Sequence, residues 1–114
     1  MGLTDDTIAA IATPVGLGGI GIIKISGPRS SEIAARLFRP RNATPPFKSH
    51  YLHYGEIVDP DRRHVVDEVL LSFMAKPCSY TGEDVVEINC HGGPLVLKEI
   101  LEIVSGANAL KAGS

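Results

Sequence analysis

With 114 residues, the chain can enclose one modest hydrophobic core and not two. Its 44% hydrophobic and 21% charged residues exclude a disordered tail and are ordinary for a globular domain. A formal net charge of −2 leaves no bulk positive field with which to hold nucleic acid or an anionic membrane.

The chain opens on Met1-Gly2-Leu3-Thr4-Asp5-Asp6-Thr7, polar and acidic where a secretory signal needs a basic start and an apolar run. Met1-Gly2 resembles the start of a myristoylation signal, which Asp6-Thr7 leaves incomplete. No apolar stretch reaches membrane-spanning length. Cys78 and Cys90 read as reduced thiols, so a cytoplasmic location without a membrane partner is expected.

Two β-branched runs follow, Ile8 to Ala12 and Ile20 to Ile25, and both read as strands. Pro14 and the glycines between them make 13–19 a loop, and Ser26-Gly27-Pro28 is a strong turn. A helix is expected from Ser30 to Phe38, capped by Ser30 or Ser31, with Ile33, Ala34, Leu37 and Phe38 at helical spacing. The proline-bearing stretch from Arg39 to Ser49 reads as a connecting loop. Tyr51 to Val58 and Val65 to Phe73, joined by Asp59-Pro60-Asp61-Arg62, form the clearest hairpin. After a loop through Lys76–Asp84, Val85 to His91 is a strand with Val86, Ile88 and Cys90 on one face and Val85, Glu87, Asn89 and His91 on the other. Gly92-Gly93-Pro94 starts a second helix with a broad apolar face, and Gly106 is expected to stop it. The element order predicts a single α+β domain over residues 1–114, a mixed β-sheet covered by helices.

Gly16-Leu17-Gly18-Gly19-Ile20-Gly21 fits the dinucleotide fingerprint G-x-G-x-x-G, but a strand follows where the pyrophosphate needs a helix N-terminus; a tight turn is the better reading. No G-x-x-x-x-G-K-[ST] loop occurs, so this chain should not hold a nucleoside triphosphate in that manner. Cys78, Cys90, His91, His50, His53 and His64 lack zinc-site spacing, and no metal ligands are expected. Cys90 is expected to be a small core residue.

Lys24 interrupts an apolar strand, which favours an edge lysine whose stem covers the core over a ligand-binding cation. Glu87, between Val86 and Ile88, either faces solvent or answers a polar ligand, because an unpaired carboxylate is costly to bury. Asn89 and His91 beside it make a polar cluster, and the free N–H groups of the Gly92-Gly93-Pro94 start could receive an anion. Glu83 and Asp84 read as a solvated turn. No residue is expected to be catalytic, since neither a nucleophile nor a general base stands in suitable company.

Four segments in order resemble one family over nearly the whole chain: Asp6-Thr7-Ile8-Ala9-Ala10-Ile11-Ala12-Thr13-Pro14; Gly18-Gly19-Ile20-Gly21-Ile22-Ile23-Lys24-Ile25-Ser26-Gly27-Pro28; Ser79-Tyr80-Thr81-Gly82-Glu83-Asp84-Val85-Val86-Glu87; and His91-Gly92-Gly93-Pro94. They resemble the N-terminal domain of the MnmE (TrmE) family of bacterial tRNA-modification GTPases. The resemblance implies a fold similar to the tetrahydrofolate-binding domain of glycine-cleavage aminomethyltransferases, and a homodimer with reduced-folate sites near its interface. It implies a parent protein with a helical domain and a G domain, both absent from this chain, the latter using GTP, potassium and magnesium. With an FAD-dependent partner, MnmG, such a protein adds an aminomethyl-type group to carbon 5 of the tRNA wobble uridine. The one-carbon unit comes from a reduced folate such as 5-formyltetrahydrofolate or 5,10-methylenetetrahydrofolate.

The family's folate contacts fall on Lys24 and Glu87, which reverses the residue-level preference for Lys24. A carboxylate at Glu87 suits a pterin because it can accept two hydrogen bonds from a ring N–H and an amino group. The sequence departs from the family pattern in carrying Lys24 for the usual Arg, which loses a planar bidentate fork. The Pro14-Val15-Gly16-Leu17 loop lacks a second proline and a basic residue, and the segment from Gly106 to Ser114 diverges too. A dimerisation scaffold with an incomplete folate site is the alternative, and a free-standing folate-dependent transferase a third.

Overall fold

The structure, a computed structural model, describes residues 7–12, 21–41, 51–75 and 83–113. Six strands and two helices follow one another as β1 (Ile8–Ile11), β2 (Gly21–Ser26), α1 (Ser30–Leu37), β3 (Phe38–Pro40), β4 (Tyr51–Val58), β5 (Val65–Met74), β6 (Val85–Cys90) and α2 (Pro94–Gly113). The α+β class is as expected. One sheet runs in the order β1-β2-β6-β5-β4-β3, and all its neighbours pair antiparallel.

The topology explains why residues far apart in the chain become neighbours. β1 and β2 pair at one edge; α1 then carries the chain across the sheet, and β3 to β6 step back until β6 lies against β2. Alternation sorts the side chains. Ile23 and Ile25 of β2, Val86, Ile88 and Cys90 of β6, and Val69 and Leu71 of β5 are fully buried on the face that receives the helices. Ile33, Ala34 and Leu37 of α1 and Leu97, Ile100 and Val104 of α2 close that core. Each large apolar side chain so enclosed contributes about 1.5–3 kcal/mol of transfer free energy.

Gly21, the last glycine of the G-x-G-x-x-G pattern, opens β2 under α2. A Cβ there would run into the Leu97 side chain, so the glycine serves close sheet–helix packing. With a strand following it, the pattern lacks the helix a dinucleotide site requires. Its remaining residues lie outside the described ones.

Three local expectations are corrected. Arg29, not Ser30 or Ser31, occupies the N-cap of α1; Gly27 (φ 135°) turns the chain so that Ser30 already lies in the first helical turn, buried, its hydroxyl without a partner. Thr7 Oγ1 accepts the Arg29 N–H at 3.1 Å, so help at this helix start comes from the chain preceding β1. The segment after α1 begins with a short edge strand, β3, where loop was expected from Arg39. Pro40 is tolerated there because an edge strand need not donate on both sides. Finally, α2 continues past Gly106 to Gly113. An exposed mid-helix glycine costs about 1 kcal/mol against alanine, which the neighbouring good helix formers offset.

Candidate functional site

The sheet face opposite the helices carries the residues singled out in the sequence. Lys24 on β2 is the direct cross-strand partner of Glu87 on β6. Ala10 of β1 flanks Lys24 on its other side, and Ser72 of β5 flanks Glu87. Directly opposed residues of an antiparallel pair hold their Cβ atoms about 4.5–5.5 Å apart. Both side chains are half-buried, and neither makes an ion pair or side-chain hydrogen bond with another described residue. A cation and a carboxylate thus stand side by side without a side-chain partner among the described residues.

Apolar side chains share this face with Ser26, Ser72 and Asn89. Ile8, opposite Ser26, is 65% exposed, and Leu52, opposite Ser72, is 67% exposed. Tyr54 is exposed on the same face, and Ile22, Leu70 and Met74 are half-buried there. At the far edge Tyr54 Oη donates to Glu68 Oε1 at 2.9 Å, and Arg41 reaches Glu68 Oε2 at 2.7 Å while lying over the Tyr54 ring. The hydrogen bond to Glu68 pushes the Tyr54 hydroxyl above its ordinary pKa.

The rest of the predicted polar cluster is already occupied. Asn89 shares the face of Glu87 but gives its amide to the Leu70 carbonyl at 3.2 Å. His91 lies just beyond β6, its Nδ1 3.2 Å from the Glu68 carbonyl. The backbone N–H groups of His91 and Gly92 both donate to Asp67 Oδ2, at 2.7 and 3.1 Å. The chain supplies its own carboxylate where an external anion was considered. Sequence reasoning passed over Asp67; the signal was an acidic pair, Asp67-Glu68, inside an otherwise apolar strand.

The described cysteine and histidine residues, Cys90, His53, His64 and His91, lie apart from one another. Cys90 is fully buried on the helix side and donates its thiol to the Ile88 carbonyl at 3.6 Å; burial pushes it up to about 12. His53 lies on β4 and His91 past the end of β6, whereas His50 and Cys78 lie outside the described residues. His64 stands instead on the β4–β5 turn, 3.2 Å from Glu99 of α2. No helix among the described residues is long and apolar enough to cross a membrane.

Comparison with known proteins places this architecture. The family model described as "GTP-binding protein TrmE N-terminus" matches residues 7–114. The tRNA modification GTPase MnmE of Acetivibrio thermocellus is 56% identical over 111 residues, covering 96% of this chain and 24% of the relative. The protein of the same name from Syntrophobacter fumaroxidans is 58% identical over 101 residues, covering 89% of this chain and 22% of the relative. That from Carboxydothermus hydrogenoformans is 54% identical over 104 residues, covering 90% and 23%. The chain spans about a quarter of the length of these relatives, and with its residues matched from 7 to 114 it belongs to the TrmE N-terminal family.

Proposed function

We propose that this chain is the reduced-folate-binding and homodimerising domain of a tRNA-modification GTPase. The observation that carries this reading is the half-buried Lys24–Glu87 pair, without a side-chain partner among the described residues, on the sheet face opposite the helices. A pterin fits such a surface: its flat ring system can lie against apolar side chains while Glu87 accepts from its N–H and amino groups. Lys24 then meets a ring carbonyl or a carboxylate of the folate tail. The implied likeness to the tetrahydrofolate domain of glycine-cleavage aminomethyltransferases is part of the same reading.

In the longer protein, GTP, potassium and magnesium belong to a G domain, and MnmG with its FAD acts alongside on the tRNA wobble uridine in the cytoplasm. This domain contributes the folate and the dimer contact, and no catalytic group of its own.

Titration calorimetry with 5-formyltetrahydrofolate on the chain and on Glu87→Ala tests the proposal. Binding by the parent protein and its loss in the variant is the expected result; equal binding by both would remove Glu87 from the pterin site. A dimerisation scaffold with an incomplete folate site is the second reading, favoured by the exposure of Ile8 and Leu52 on the same face. It predicts self-association without any heat from the folate.

A further inference from the structure

On the helix side of the sheet, away from Lys24 and Glu87, three side chains from two elements converge. Asp59 directly follows β4, His64 precedes β5, and Glu99 lies one turn into α2. One ligand atom from each lies within 4.8 Å of the others. His64 Nε2 and Glu99 Oε2 are 3.2 Å apart.

The turn is built to hold Asp59 in place. Asp59 N donates to the His64 carbonyl at 3.0 Å, and Arg63 N donates to the Asp59 carbonyl at 2.7 Å with Arg63 in the left-handed region at φ 58°. Asp59 Oδ1 accepts the N–H groups of Asp61 and Arg62 at 2.9 and 3.2 Å, which leaves Oδ2 as its remaining ligand atom. The residue is only 8% exposed. A nearly buried carboxylate beside an imidazole and a second carboxylate gathers one nitrogen and two oxygen donors at one point, a set that a cation can bridge.

We propose that Asp59, His64 and Glu99 form a site for a divalent cation of the zinc class, which ties the β4–β5 turn to α2. One imidazole nitrogen and two carboxylate oxygens are a borderline donor set that suits zinc better than calcium or magnesium. Tetrahedral ligands about 2.0–2.1 Å from zinc are roughly 3.3 Å from one another. His64 Nε2 and Glu99 Oε2, 3.2 Å apart, already meet that spacing; the other separations, within 4.8 Å, must close by up to about 1.5 Å, and His64 and Glu99, both partly exposed, have the freedom to move. Asp59 and Glu99 also line a cleft of about 480 Å³, together with Arg36, Asp61, Arg62 and Glu102. Water can complete the shell there, and the two arginines offset the two additional carboxylates, so the attraction for a cation comes from the three ligands themselves.

The probe is zinc chloride titrated into the chain in a calorimeter, with cobalt(II) absorption as a direct sign of coordination. One site per chain is expected, with a thermal midpoint that rises as zinc is added. Loss of an outer-sphere partner already costs about ten- to a hundredfold in metal affinity, so removing a ligand by His64→Ala or Glu99→Gln should cost at least that. His91→Ala, outside the cluster, should change nothing. Both ligand variants alter partly exposed side chains and keep the fold, which circular dichroism verifies. No zinc binding by the parent chain, or binding that survives His64→Ala, overturns the proposal and leaves His64–Glu99 as a plain ion pair.

Discussion

Lys24 and Glu87 face each other across the β2–β6 ladder, and neither spends its charge on another described side chain. If that capacity serves a folate, truncating either should cost the ligand a charge-assisted hydrogen bond, about 1.5–3 kcal/mol. That is about ten- to a hundredfold in Kd. Glu87→Gln should lose nearly as much as Glu87→Ala, because an amide presents one acceptor where a pterin offers two donors. Lys24→Arg should bind at least as tightly as the parent, since the planar guanidinium restores bidentate geometry. Calorimetric titration with 5-formyltetrahydrofolate reads all three; weaker binding by Lys24→Arg would mean that Lys24 acts as a compact point charge.

The apolar rim of that face makes a separate prediction about assembly. Leu52 is two-thirds exposed and Ile8 nearly so, a placement that leaves burial energy unrealised in the single chain. Leu52→Glu should shift a dimer toward monomer in sedimentation runs over a range of concentrations, with an unfolding midpoint, measured on monomeric samples, within about 0.5 kcal/mol of the parent. A monomer in the unmodified chain at high concentration would remove the dimer from the reading.

What the sequence made legible was local. Alternation over Val85–His91 sorted Val86, Ile88 and Cys90 from Glu87 and Asn89 correctly, because a half-buried strand imposes a period of two. The hairpin of Tyr51–Val58 and Val65–Phe73 was legible for the same reason, with Asp59-Pro60 marking its turn. That Lys24 and Glu87 are partners was not, since their register depends on β6 returning to β2 from the far edge, and no local pattern encodes a long-range pairing. Resemblance to a family named both residues without placing them side by side. β3 escaped notice because three residues carrying a proline give no periodic signal, and Gly106 misled because local propensity is a weak prior against a long apolar helix face. His64 was weighed only with other histidines and cysteines, whereas its neighbours in space are Asp59 and Glu99.

Asp67 holds the start of the turn into α2 by accepting from His91 and Gly92 with one oxygen. Asp67→Ala should leave both N–H groups to water and lower stability by about 1 kcal/mol, as for loss of a helix-capping side chain. In urea the midpoint should fall with an unchanged slope, and Asp67→Asn, which keeps an acceptor oxygen, should recover part of the loss. A full effect in Asn would indicate that the charge, rather than the hydrogen bonds, matters at this site.

Gly21 and Leu97 should be energetically coupled. Gly21→Ala places a methyl against the Leu97 side chain, and overpacking of this kind costs about 1–3 kcal/mol. Leu97→Ala alone removes a side chain that is 1% exposed and should cost about 2–5 kcal/mol. In the double variant the new methyl enters the space that leucine vacated, so the combined loss should fall short of the sum by 0.5 kcal/mol or more, to the order at which contacting residues couple. Strict additivity would mean that the cost of Gly21→Ala comes from the backbone.

Cys90 should be chemically silent in the folded chain and should make the fold sensitive to alkali. Burial pushes its thiol up to about 12, whereas a solvated thiol ionises near 8.5. The sign follows from proton counting. Below about pH 8.5 both states hold the proton and Cys90 contributes no pH dependence; above it the unfolded chain releases its proton while the folded chain keeps it, so stability falls as pH rises. The slope approaches about 1.4 kcal/mol per pH unit until the folded thiol itself ionises. Denaturant titrations from pH 8 to 11 should show this decline in the parent and a shallower one in Cys90→Ala. Iodoacetamide at pH 8, read by peptide mass spectrometry, should label Cys90 only after denaturation; labelling in the native state would show that β6 opens locally, because the thiolate rather than the thiol is the nucleophile.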